Sequence, residues 1–145
     1  MKRNIYLIMI TFAIFAGCDV RKKDKIAADL PFSKTAVDSP TSIILIDTVH
    51  DFGQIDEGAV IEFSYRFRNS GDKPLVVNNV SASCGCTVPE KPQHPIKPGE
   101  IGYIKVKFNS EGRPGEVHKT VTVSSNAKPE FPVLQLQGEV IGKQN

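Results

Sequence analysis

The alternation across residues 61–68 constrains this chain more than any other segment. Ile61, Phe63, Tyr65 and Phe67 alternate with Glu62, Ser64, Arg66 and Arg68. A two-residue period puts the four apolar side chains on one face of an extended strand and the polar ones on the other. Such a strand persists only when its apolar face is covered. The same period returns at Ile104, Val106 and Phe108 around Lys105 and Lys107, and at Val121 and Val123 around Thr122. Leu134, Leu136 and Val140 repeat it beside Gln135, Gln137 and Glu139. No window carries a 3.6-residue apolar stripe. Turn-forming runs separate the segments: residues 69–74 (Asn-Ser-Gly-Asp-Lys-Pro), Pro98-Gly99, the loop from Asn109 to Gly115, and the loop from Ser125 to Pro132. Leu75-Val76-Val77 opens a further strand. Short one-sided strands bury their faces against one another as two packed antiparallel sheets, with a small barrel as the alternative. The expected aromatic core is Phe52, Phe63, Tyr65, Phe67 and Phe108. The chain contains no Trp, which excludes an antibody-type core built on Trp and an inter-sheet disulfide.

The N-terminus is organised differently. Lys2 and Arg3 precede an apolar run from Ile5 to Ala16 that only Thr11 interrupts. That order is a secretory signal, and it is too short for a transmembrane helix of roughly 20 residues. Phe15-Ala16-Gly17-Cys18 resembles the bacterial lipobox, with Phe15 where Leu is usual. Residues 1–17 are therefore expected to be a lipoprotein signal peptide, and Cys18 the acylated residue. Several acyl tails at about 0.8 kcal/mol per buried CH₂ give stable anchoring. Residues 18–42 are polar and lack an apolar period, which predicts a flexible tether. About 23 such residues reach roughly 25–30 Å from a membrane. Residues 43–145 are one domain in length. Removing Lys2 and Arg3 takes the charge from 18 cations and 16 carboxylates to 16 of each. A neutral mature chain gives no basic field for nucleic acid.

With Cys18 assigned to the anchor, Cys84 and Cys86 remain as an isolated pair in Ser83-Cys84-Gly85-Cys86-Thr87. In an extended strand the two thiols face one way, and Gly85 lets the backbone bend to join them. An oxidising envelope favours a disulfide. A bridge over one residue closes a tight ring, which suits exchange better than stapling. A soft-metal site is the second reading, with the two thiolates holding Cu(I) or sharing Zn(II). His94 is the candidate third ligand, with His118 and His50 behind it. A third reading makes the pair small buried hydrophobes. A cysteine nucleophile needs a base and an orienting group, and no local signature supplies them. Phosphate-binding glycine loops, a Ser-His-Asp set and paired catalytic carboxylates are likewise missing from the sequence, so no enzyme activity is expected.

Residues 50–58 (His-Asp-Phe-Gly-Gln-Ile-Asp-Glu-Gly), residues 67–75 (Phe-Arg-Asn-Ser-Gly-Asp-Lys-Pro-Leu), Ser83-Cys84-Gly85-Cys86-Thr87, Pro98-Gly99-Glu100 and Gly115 together resemble the bacterial domain of unknown function 1573. The resemblance covers about residues 45–140. It implies an immunoglobulin-like β-sandwich related to Hydin-type and major-sperm-protein-like modules, and its members are often envelope lipoproteins. It implies no activity. The combined expectation is a lipid-anchored envelope protein, facing the periplasm or the cell surface, whose non-catalytic module binds a protein or glycan partner. A thiol-redox or copper- or zinc-handling protein is the alternative.

Overall fold

The computed structural model describes residues 39–143. The expected signal peptide, Cys18 and most of the expected tether lie outside the described residues. Eight strands run in chain order: β1 (Ile43–Leu45), β2 (Val49–Asp56), β3 (Val60–Asn69), β4 (Val77–Ala82), β5 (Thr87–Glu90), β6 (Ile101–Asn109), β7 (Gly115–Ser125) and β8 (Leu134–Ile141). They form two four-stranded sheets, ordered β1-β3-β6-β5 and β2-β8-β7-β4. The expected sandwich is present, and all ladders but one are antiparallel. The exception is β2, which pairs parallel to β8 from Val49↔Gln135 to Asp56↔Ile141. The chain leaves β1 for the second sheet after a three-residue connection, and the C-terminal strand then lies beside it in the same direction.

The alternating residues meet between the sheets. Tyr65, Phe67, Ile104, Val106 and Phe108 of the first sheet are buried against Val117, Val121, Val123, Leu134, Leu136 and Val140 of the second. Phe52 and Phe63 pack on this core but are only partly buried. Phe131, from the β7–β8 loop, completes it edge-on to Phe67, with ring centroids 5.0 Å apart. Gly102 faces Phe67 across the β3–β6 ladder. A Cβ on Gly102 would stand 2.3 Å from the Phe67 ring, so the aromatic occupies the space a side chain would need. Tyr65 ties the layers together, its hydroxyl donating to the Gln135 carbonyl at 2.5 Å.

Packing extends to Thr41, just before β1. Thr41 is buried and bridges to Ala127. Its hydroxyl donates to Asn69 Oδ1 at 3.0 Å. The following turn differs in cause from its sequence reading. Gly71 serves close approach rather than a positive φ: a Cβ there would lie 2.2 Å from the Thr41 hydroxyl. Leu75 makes only a bridge to Ile96, so β4 starts at Val77.

Candidate functional site

Cys84-Gly85-Cys86 is not in a strand. It forms the corner where the chain leaves β4, in the second sheet, and enters β5, in the first. Facing sheets of a sandwich lie about 10 Å apart, so this corner crosses the thickness of the domain in four residues. Hydrogen bonds hold both ends. Ser83 N–H donates to Thr120 O at 3.0 Å, and its hydroxyl accepts from Thr120 N–H at 3.1 Å. Asn109 N–H donates to Cys86 O at 3.0 Å, and Thr87 N–H closes the turn on Cys84 O at 3.3 Å. Cys84 and Cys86 are joined by a disulfide, with their Cα atoms 5.3 Å apart. Cys86 is 8% exposed and Cys84 somewhat more, on the edge of the core. The Thr87 side chain is buried beneath them, with its Oγ1 3.6 Å from Cys84 Sγ and 3.9 Å from Cys86 Sγ.

The alternative copper or zinc site is not assembled among the described residues. The two sulfurs are bonded to each other instead of offering two thiolates. His94 is exposed in the β5–β6 loop, beyond the far end of β5 from Cys86. His118 is exposed on β7 opposite Gln137. His50 stacks flat on Phe63 with ring centroids 3.7 Å apart, and this burial lowers its pKa. Among the described residues no three His, Cys, Asp or Glu side chains gather closely enough to hold a metal ion.

A second feature spans the outer face of the first sheet. The β3–β6 and β5–β6 registers set Glu62, Lys107 and Val88 in one cross-strand row, and Ser64, Lys105 and Glu90 in the next. Tyr103 follows opposite Arg66. Val88 is 55% exposed and Tyr103 47%. One open groove of about 490 Å³ runs over Glu62, Ser64, Val88, Glu90, Lys105 and Lys107. A second, of about 360 Å³, shares Glu90 and Lys105 and continues over Tyr103, Pro92 and His94. Some charges here are satisfied internally. Lys107 Nζ reaches Glu62 Oε1 at 3.0 Å. Arg66 grips Asp47 with two hydrogen bonds, of 2.7 and 3.1 Å, which hold the Asp47 carboxyl below the usual carboxylate range. Among the described residues, Lys105, Arg68 and Glu90 have no oppositely charged group within 4 Å.

A family model described as "Protein of unknown function (DUF1573)" matches residues 43–140. The chain belongs to this family. The DUF1573 domain is thus the whole sandwich from β1 into β8. No curated protein matches the sequence significantly. Among solved structures the DUF1573 domain is similar to a protein of unknown function from Porphyromonas gingivalis W83, with TM-score 0.57 and 19% identity over 72% of this chain and 48% of that one. The chain thus spans about half the length of that protein. It is also similar to PapD-like domain 7 of human CEP192, with TM-score 0.59 and 14% identity over 79% of this chain and 93% of that one. Identities this low speak for the fold alone, and a sandwich hosts many functions.

Tyr103, Val88 and Thr87 have no role legible in the sequence alone. Tyr103 and Val88 carried a signal, since each is a large apolar residue on the outward phase of its strand. Thr87 carried none beyond standing next to Cys86.

Proposed function

We propose that this DUF1573 protein is a binding module, anchored to a bacterial envelope membrane through acylated Cys18, that takes a protein partner on the outer face of its first sheet. The observation that supports this reading is the pair of adjoining grooves around Lys105 and Glu90, with Val88 and Tyr103 exposed along them. Apolar anchors beside unpaired charges are the composition of a recognition surface, where aromatic residues supply contact area and charges set register. Charges of both signs beside exposed Val88 and Tyr103 fit a protein partner, whose side chains offer opposite charges and apolar contact together.

The test is site-specific photocrosslinking in intact cells. A photoreactive residue at position 103 is expected to give one adduct of discrete mass. That adduct should disappear with Lys105→Glu, and the same probe at Thr122, on the other sheet, should not give it. Equal labelling from both positions refutes the binding face. Anchoring is tested separately: Cys18→Ala should release the protein from the membrane fraction and remove the acyl mass from its N-terminus.

A further inference from the structure

The disulfide at the β4–β5 corner does little that the corner does not already do. Hydrogen bonds from Ser83, Thr87 and Asn109 hold the crossover. A bridge between residues two apart closes a very short loop and constrains the unfolded chain little. Its surroundings suit chemistry better. Gly85 is exposed, and apart from its two cysteine neighbours no atom lies within 4 Å of where its side chain would stand, so no other segment covers the tip of the corner. Of the two cysteines, Cys84 is the less buried and so the one an incoming group meets first. Below them stands the Thr87 hydroxyl. Neither sulfur of a disulfide carries a proton, so in these contacts the hydroxyl is the donor. A buried hydroxyl aimed at a sulfur–sulfur bond is a weak hydrogen bond in the oxidised state. It becomes a charge-assisted one as soon as either sulfur is a thiolate.

We propose that Cys84–Cys86 is a thiol-exchange site that oxidises a dithiol substrate, with Cys84 the sulfur attacked and the Thr87 hydroxyl, within 4 Å of both sulfurs, stabilising the thiolate released first on Cys86 and then on Cys84. A substrate thiolate attacks Cys84 Sγ. A bond forms between the substrate sulfur and Cys84, the Cys84–Cys86 bond breaks, and its electron pair stays on Cys86 Sγ as thiolate. The second thiol of the substrate, deprotonated, then attacks the substrate's own sulfur in the mixed disulfide and releases Cys84 as thiolate. The two protons lost by the substrate end on Cys84 and Cys86. The substrate becomes a disulfide and the protein a dithiol, a balanced two-electron exchange with no other oxidant. Exchange of this kind depends on access to the attacked sulfur and on stability of the leaving thiolate. Gly85 supplies the first and Thr87 the second.

The test uses the full chain in detergent with Cys18→Ser, so that Cys84 and Cys86 are its only cysteines. Dithiothreitol is the probe, and mass after alkylation at timed quenches is the readout. The bridge is expected to be present on purification and to be reduced completely at pH 7 with the far-ultraviolet circular dichroism unchanged. Thr87→Val should slow reduction about tenfold, Thr87→Ser should stay within about twofold, and Gly85→Leu should slow it about tenfold by covering Cys84. In Cys86→Ser, oxidised glutathione should add one glutathione, mapped to Cys84. Alkylatable thiols before any reductant, or reduction only after unfolding, overturns the proposal. A folded Thr87→Val that reacts at the parental rate removes the hydroxyl's role. If Thr87→Val fails to fold, the surface variant Gly85→Leu decides: an unchanged rate there overturns the open approach to Cys84.

Discussion

Asn69→Ala removes the most connected buried polar side chain among the described residues. Asn69 is fully buried at the end of β3. Its Nδ2 donates to Lys73 O at 2.7 Å and to Ile96 O at 2.9 Å. Its Oδ1 accepts from the Thr41 hydroxyl at 3.0 Å and from Gly71 N–H at 3.2 Å. These bonds join the β3–β4 turn, the β5–β6 loop and the start of the domain, segments that share no strand. A hydrogen bond contributes about 0.5–1.5 kcal/mol net, and leaving a buried partner unpaired costs about 1–3 kcal/mol. Four bonds set an upper range of about 2–6 kcal/mol. Water entering the vacated space re-satisfies part of it, so about 3 kcal/mol is expected. For a domain of this size that is a fall in Tm of roughly 12–24 °C. The assay is urea denaturation followed by far-ultraviolet circular dichroism, with Asn69→Asp alongside. Asp keeps the shape and both accepted bonds but turns its remaining oxygen on two carbonyls, so it should cost more than Ala at pH 7. A loss below about 1 kcal/mol for Ala, or an Asp variant more stable than Ala, refutes the account of Asn69 as the tie between three loops. The β5–β6 loop also walls the second groove, so amide exchange at residues 91–97 should quicken in Asn69→Ala while that of β7 stays slow.

Further outcomes follow from single contacts. Gly102→Ala should destabilise the fold by about 1–3 kcal/mol, the range for forcing an extra methyl into a filled core, because the Phe67 ring already occupies that space; a variant that melts with the parent refutes this packing. Burial holds the Tyr65 phenol up to about 12, so absorbance at 295 nm should show a tyrosine that does not ionise until near pH 12 or until unfolding, and Tyr65→Phe should abolish that late step. The lowered His50 pKa means the folded state prefers the neutral ring. Its contribution is complete above the ordinary value near 6.5 and is lost as pH falls through the folded value. The urea midpoint should therefore drop between pH 7 and pH 5, and His50→Phe should flatten that drop by keeping the stack on Phe63 without the charge. The oxidised full chain should take up no copper or zinc, as elemental analysis after dialysis would show, because its two sulfurs are bonded to each other.

The alternation over residues 61–68 foretold β3 and its buried face because side-chain facing in a strand is a local property. Tyr65, Phe67, Ile104, Val106 and Phe108 are buried where the two-residue period puts them. The polar breaks at Asn69–Pro74 and Asn109–Gly115 do separate strands, since turn chemistry is local as well. The lipobox pattern at Cys18 belongs to the same class of local signals. What escaped the sequence depends on groups distant along the chain. Thr41 and Ile96, the partners of Asn69, lie 28 and 27 residues away, so a residue that read as a turn former is a buried hub. The parallel β2–β8 pair depends on which sheet each strand joins, and no strand carries that choice in its own period. For the same reason Cys84-Gly85-Cys86 looked like part of a strand and is the corner between sheets. The sequence by itself determined that strands form, which face of each is buried and where the chain turns, because those are set by neighbours one to four residues apart. Only the tertiary structure decided that Thr87 lies beneath the sulfurs and that Lys105, Glu90, Val88 and Tyr103 share one face. Those meetings follow from strand order and register, which the whole core fixes at once.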